Sequence, residues 1–409
     1  MAEALQVAGN TPAGNFFGGP ATFYTPCGNT QLISFNAETS TQVIYRTAGT
    51  LSKLFVLVAN TGESVQAATV KIRKNGADGN MSVSIPADTS GIFEDNSNTD
   101  TVAAGDTLNY AVVLTGANIV PIRAINTLFA ADTNTVVRHV AVGTQTVFFQ
   151  LTLYAALAGP MDVLSSEVTF KFDVNTAGSL KNLYVYVLTN SRTDATTFKT
   201  RINGVTSTNL VISVPASSSG AFEDTSGSDT LAADDDVNYI IATGPAFGPQ
   251  ITWTIISTEL ETTNSKFHAI ASKGNAGRTQ NASLTKYYPL GGLIDFSGVE
   301  ADFQIEANIA ATITNLFVYC SAGTGTITLR KNGAATALTK AITGAGAFED
   351  STNSVSVVAG DLIDYEIVTT GAGSITTRVM GCMLENTAAP PAAATSFVIP
   401  RRINTLLRL

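Results

Sequence analysis

VKIRKNG (70–76), SIPADTSGIFED (84–95) and VAAGDTLNY (102–110) decide the fold of this chain, because the run they form is written three times. The second copy is FKTRING (198–204), SVPASSSGAFED (213–224) and LAADDDVNY (231–239). The third is ITLRKNG (327–333), AITGAGAFED (341–350) and VVAGDLIDY (357–365). Asn75, Asn203 and Asn332 anchor the three copies. Phe93 to Tyr110, Phe222 to Tyr239 and Phe348 to Tyr365 are equal intervals, so the copies also agree in internal register. A period this long exceeds the 20–50 residues of a solenoid repeat and matches a whole domain. The chain is one small domain in triplicate, an organisation that suggests an architectural task more than a catalytic one.

Each copy reads as β-structure. Val70 and Ile72 alternate with Lys71 and Arg73 ahead of Asn75-Gly76, a pair suited to the two positive-φ positions of a tight hairpin. Met81, Val83 and Ile85 alternate on the return strand, as do Leu108, Tyr110 and Val112 further on. LFVLV (54–58), LYVYV (183–187) and LFVYC (316–320) are apolar on both faces, which predicts a strand covered on two sides. No segment carries a capped 3.6-residue period. The fold class is therefore all-β: three tandem antiparallel β-sandwich, jelly-roll-like domains. The expected boundaries are an N-terminal arm at 1–19, repeats at 20–132, 133–263 and 264–387, and a C-terminal arm at 388–409. The linkers are too short to hold neighbouring repeats apart. Whether the repeats form a ring or a rod is open at this stage.

Composition narrows the function. Charged residues make up 13% of the 409 and net charge is −9, which disfavours wrapping a nucleic acid. There is no 18-residue apolar span, so no membrane partner is expected. The start MAEALQVAGN has no basic flank or apolar core of a signal peptide, so synthesis in a cytosol is expected. Cys27, Cys320 and Cys382 do not recur at equivalent repeat positions and read as free thiols.

Candidate chemistry is sparse. The Glu94/Asp95, Glu223/Asp224 and Glu349/Asp350 pairs precede further acids. They lack a calcium-loop pattern, and adjacent strand residues point to opposite faces, unlike a glycosidase pair. They read as turn and strand-end residues. His139 and His268 stand equally far ahead of the Asn-Gly turns at Asn203 and Asn332. They are expected at one structural position, without metal partners. Arg73, Arg201 and Arg330 are expected to pair with those acids or to contact a neighbour. Trp253 is read as core, and so are the recurring Phe93, Phe222 and Phe348 and Tyr110, Tyr239 and Tyr365. No enzymatic activity, cofactor or metal is expected.

The repeated R-x-N-G hairpins, G-x-F-E-D segments and A-G-D turns, in a Thr/Ser/Ala/Gly-rich β-chain, resemble domains of tailed-bacteriophage virion proteins: capsid decoration or cement proteins, head fibres and tail-fibre shafts. The resemblance covers about residues 20–387 and carries over no binding residue. It implies a virion structural protein made in the host cytoplasm, most simply a decoration or cement protein in which three fused copies act as a pseudo-trimer. The alternatives are a tail-fibre or adhesin-like protein that binds a receptor or glycan, and a tandem jelly-roll capsid subunit. Expected partners are capsid or other virion proteins, or further copies of the chain. The arms have no counterpart in the repeats. Their apolar Phe16, Phe17, Phe397 and Ile399 and their basic Arg401, Arg402 and Arg408 are therefore the expected partner-binding residues.

Overall fold

In the computed structural model, the residues described are 3–9, 20–59, 67–116, 119–245, 247–273, 277–293, 296–370 and 373–387. The two-residue strands Thr30–Gln31 and Val43–Ile44 set aside, repeat one has eight strands among these residues. They are Glu3–Gly9, Ala21–Pro26, Gly49–Val58, Ala68–Lys74, Ala77–Ile85, Gly91–Val102, Thr107–Leu114 and Ile122–Ala131. One sheet runs first–eighth–third–sixth and the other second–seventh–fourth–fifth. That order is a jelly roll: two Greek-key sheets packed face to face. Repeats two and three repeat both sheets.

The first strand, Glu3–Gly9, lies inside the segment expected as an N-terminal arm. It pairs along its whole length with Ile122–Ala131, Leu5 opposite Leu128, and is buried. Thr135–Val147 and Lys266–Ser272 play the same part in the other repeats. The stretch escapes repeat matching because its sequence is not shared, although its place in the sheet is.

The shared motifs serve the fold. Asn75, Asn203 and Asn332 have φ of 52°, 51° and 51° and the following glycines 76°, 74° and 77°, the paired left-handed geometry of a tight hairpin. Each asparagine also ties its hairpin to the turn before the seventh strand. Asn75 donates to Asp106 at 2.6 Å and accepts from the Thr107 amide at 2.9 Å. Asn203 does the same with Asp235 and Asp236, and Asn332 with Asp361 and Leu362. Asp234 at φ 68° stands where Gly105 and Gly360 are also left-handed, so the position is set by backbone shape.

Tyr110, Tyr239 and Tyr365 are fully buried. Their hydroxyls meet Thr127 (2.9 Å), Thr258 (2.8 Å) and the Cys382 sulfur (3.1 Å). Trp253 is buried edge-on to Phe198, centroids 5.3 Å apart. Phe93, Phe222 and Phe348 are half-buried and pack against the margin of the cores, less buried than their reading as core residues implies.

The doubly apolar third strands are covered on both faces, and the second cover is another repeat. Leu54, Val56 and Val58 belong to the core of repeat one, while Phe55 and Leu57 join a cluster continuous with repeat three. Tyr184 packs into the core of repeat one. Phe317 meets Phe172 of repeat two, centroids 5.6 Å apart. Repeat two thus leans on one, three on two, and one on three: the repeats close into a ring.

Candidate functional site

The contacts that join one repeat to the next lie at the three junctions of this ring. At the first junction the Arg46 amide donates to Glu259 at 2.8 Å, and the Arg46 guanidinium forks onto Glu223, Nε at 2.9 Å. At the second, Asn175 fills the Arg46 position. Its amide nitrogen Nδ2 donates to Glu349 at 2.7 Å and its backbone N–H to His268 Nε2 at 3.2 Å. At the third, Asn308 fills that position, donating to Asn126 at 2.9 Å, and Lys53 reaches its carbonyl. One equivalent position, occupied by Arg46, Asn175 and Asn308, is used at all three junctions, with different chemistry at each.

Asn29 sits where the three repeats meet. Its Oδ1 accepts from the Val7 amide at 2.9 Å. Its backbone pairs with Arg138 and Val140 of repeat two at 2.7 and 2.9 Å. Its Nδ2 donates to the His268 carbonyl of repeat three at 2.6 Å. The third junction is sealed by backbone contact. A Cβ added to Gly9 would come within 2.6 Å of the Gly292 nitrogen, so glycine is required there by space. Sequence reading missed Asn29 because it belongs to no repeated motif.

The acidic motifs are structural. Asp95 accepts from the Ser97 and Asn98 amides (3.2 and 3.1 Å) and, across the strands, from the Ser82 amide (3.0 Å). Asp224 and Asp350 make the same turn. Despite the cost of partial burial, these donors hold the Asp95 and Asp350 carboxyls down to about 2, as expected for a carboxylate that accepts several N–H bonds. The adjacent glutamates Glu223 and Glu349 reach across junctions instead. The repeated arginines pair with neither. Arg73 forks onto Glu38 at 2.9 and 3.0 Å, Arg201 onto Glu167 at 2.8 and 3.0 Å, and Arg330 onto Glu300 at 2.9 and 3.0 Å. Each also donates to the carbonyl of its hairpin glycine. The recurring arginine is a staple within its own repeat.

The histidines do not share a position. His139 lies opposite Thr258, the partner of Tyr239, so its counterparts are Gln6, opposite Thr127, and Ala269, opposite Cys382. His268 lies opposite Met383, one residue along and therefore on the other face of the sheet. Burial pushes both imidazoles down to about 3, so both are neutral at ordinary pH. The three cysteines are buried and free, and burial raises the Cys320 and Cys382 thiols to about 12.

The expected partner-binding residues Phe16, Phe17, Phe397, Ile399, Arg401, Arg402 and Arg408 lie outside the described residues. One exposed aromatic group does appear. Between the first and second strands of repeat two, Phe148 stands beside Phe149, and Phe149 meets Phe247 of the seventh-to-eighth connection, centroids 4.9 Å apart. Phe247 is 80% exposed. The connection is held from beneath by buried Arg192, which donates to the Gly244 carbonyl at 2.7 Å and the Pro249 carbonyl at 3.2 Å and forks onto Asp194.

No protein-family model matches this chain, and no curated protein matches it. Among solved structures, the VP2 subviral particle of infectious bursal disease virus is similar over 94% of this chain and 80% of that one, at 8% identity and a TM-score of 0.20. T=1 particles derived from that virus cover 94% and 77% at 10% identity and a TM-score of 0.18. The insecticidal delta-endotoxin Cry8Ea1 of Bacillus thuringiensis covers 62% and 61% at 9% identity and a TM-score of 0.17. Likenesses this weak, shared between a capsid protein and a toxin, assign neither family nor function.

Proposed function

We propose that this chain is a structural virion protein that decorates or cements a capsid, its three fused jelly rolls acting as a pseudo-trimer. The observation that supports this reading is the closed ring. One chain supplies three equivalent lobes around one centre, held by three junctions that are alike in position. Such an object matches a threefold or quasi-threefold site on a shell without needing to oligomerise. The role is architectural and not enzymatic. The repeated carboxylates are spent on turns and junctions, and the histidines and thiols are buried.

The test is cryo-electron microscopy of purified particles that carry this gene, with quantitative mass spectrometry of the same sample. The expected result is three-lobed density, one chain per lobe triplet, at threefold or quasi-threefold positions. Absence of the chain from particles, or its confinement to tail fibres, overturns the reading. The Phe148, Phe149 and Phe247 group favours a second reading, a fibre-borne receptor-binding protein. Rigidly held, exposed aromatic rings are what a recognition surface uses. Loss of host-cell adsorption in a Phe247→Ser variant that still folds supports that alternative.

A further inference from the structure

The junction of repeats two and three holds an open cleft of about 410 Å³, lined by Val168, Lys171, Asp173, Asp236, Phe317 and Tyr319. Its counterpart at the first junction carries no acid at these positions: Ile44 stands at the position of Asp173 and Thr107 at that of Asp236. Ile44 packs there in one cluster with Tyr184 and Tyr186, the equivalents of Phe317 and Tyr319. At the third junction those positions are Glu306 and Leu362. The pair of aspartates is thus peculiar to this cleft. Glu349 and Asp234 stand behind it, and Lys171, bonded to Asp236 at 3.0 Å, is the cation among its lining residues. Burial, a hydrogen bond shared with Asp236 and the Asp236, Glu349 and Asp234 charges raise the Asp173 carboxyl, whereas Asp236, despite its partial burial, is lowered by its bonds to Asp173 and Lys171, so Asp236 is the member of the pair that carries the charge. At the first junction the glutamate equivalent to Glu349, Glu223, is met by the guanidinium of Arg46. Glu349 is met by the side-chain amides of Asn175 and Asn315.

We propose that this cleft is the seat of the chain's own C-terminal segment, with Phe397 and Ile399 against the Phe317–Tyr319 wall and Arg401 or Arg402 on the Asp173–Asp236 pair. Charge and length both favour that occupant. Residues 388–409 carry three arginines and no acidic side chain, with the apolar run Phe397-Val398-Ile399 just before Arg401. The described chain ends at Thr387, whose amide bonds the Ala310 carbonyl. Asn386 pairs with Ala311 at the start of the strand that carries Phe317. Six strand residues from Ala311 to Phe317 span roughly 20 Å, and the ten residues from Thr387 to Phe397 reach about 33 Å when extended. The segment therefore spans the gap without help from another molecule. The proposal concerns the chain's own ring and is independent of whether that ring belongs to a virion.

The test uses the full chain with a photo-reactive benzoylphenylalanine at position 397. After irradiation of dilute protein, the expected adducts are on Val168, Phe317 or Tyr319, in the monomer band. Their yield should fall about fivefold in R401E/R402E and in D173N/D236N, and with rising salt. The melting temperature of R401E/R402E, recorded in parallel, controls for folding. Adducts elsewhere on the ring, adducts confined to a crosslinked dimer, or a yield indifferent to both charge variants overturn the proposal.

Discussion

Asp364 shows how one residue can oppose the fold around it. It occupies the position held by Asn109 and Asn238 in the other repeats, fully buried beside Glu300 and Arg330. Burial raises its carboxyl to about 8, far above the roughly 3.9 of an unfolded aspartate. The folded state therefore holds the proton more tightly than the unfolded one. That contribution is full below about pH 4 and is lost as pH rises through 8. Asp364→Asn should raise the melting temperature at pH 8 by a few degrees, on the order of 1–2 kcal/mol, and leave it unchanged at pH 4; calorimetry at the two pH values decides. His139 has the opposite sign. Its folded-state value of about 3 lies below the roughly 6.5 of the free side chain, so stability present above pH 6.5 is lost as pH falls towards 3. His139→Gln, which copies Gln6, should flatten the acid limb of a urea-melt series between pH 6.5 and 4 and change little at pH 8. An unchanged acid limb would show that His139 does not limit acid stability.

Among the strands, the two recurring aromatics divide their work. Tyr239 lies at the centre of a jelly roll, its hydroxyl on Thr258. Phe222 lies on the sixth strand, half-buried at the edge of the core. Truncation of a fully enclosed aromatic costs about 3–5 kcal/mol, whereas a ring with one wet face loses less apolar burial. Tyr239→Ala should therefore lower the melting temperature of the protein substantially more than Phe222→Ala. Equal losses would place Phe222 in the core after all. The Asn-Gly hairpin is the other device that acts through a whole strand pair. Asn203→Ala both removes the carboxamide that lets this residue tolerate left-handed φ and unties the hairpin from Asp235 and Asp236. The expected cost is about 1–3 kcal/mol, read as a shift in the denaturation midpoint.

The protein as a unit depends on closure. A compact particle of this length has a radius of gyration of roughly 22 Å, and a string of three separate jelly rolls is markedly longer. Small-angle scattering should return a value near the compact one. Asn29 is the residue on which closure can be tested, since it bonds all three repeats at once. Asn29→Leu leaves buried amide and carbonyl groups of Val7 and His268 without partners, at about 1–3 kcal/mol each. It should increase the radius of gyration or the protease sensitivity of the linkers near residues 132–134 and 263–265, with the far-ultraviolet spectrum of the jelly rolls retained. A variant as compact and as resistant as the natural chain would mean that the ring is held by its sheet faces and not by its centre.

Local parts of this protein were legible in the chain alone. The domain-length period, the Asn-Gly hairpins, the turn aspartates, the buried tyrosines and the all-β class all follow from rules that act over a few residues: φ preference, alternation and turn chemistry. The lack of alternation in LFVLV, LYVYV and LFVYC even showed that the third strands are covered on both faces. The identity of the second cover was not legible, because an apolar face records that it is buried and not what buries it. It took the folded arrangement to establish that the cover is the neighbouring repeat, that the ring closes through Gly9 and Gly292, and that Glu3–Gly9 is a strand and no arm. The same limit explains the histidines. Equal spacing to the Asn-Gly turn suggested one shared site, but the strands that face them differ in register, and one residue of register turns a side chain to the opposite face. Asn29 and the Asp173–Asp236 cleft were illegible for the same reason. Each is made by residues from different repeats, meeting through contacts that no spacing along the chain encodes.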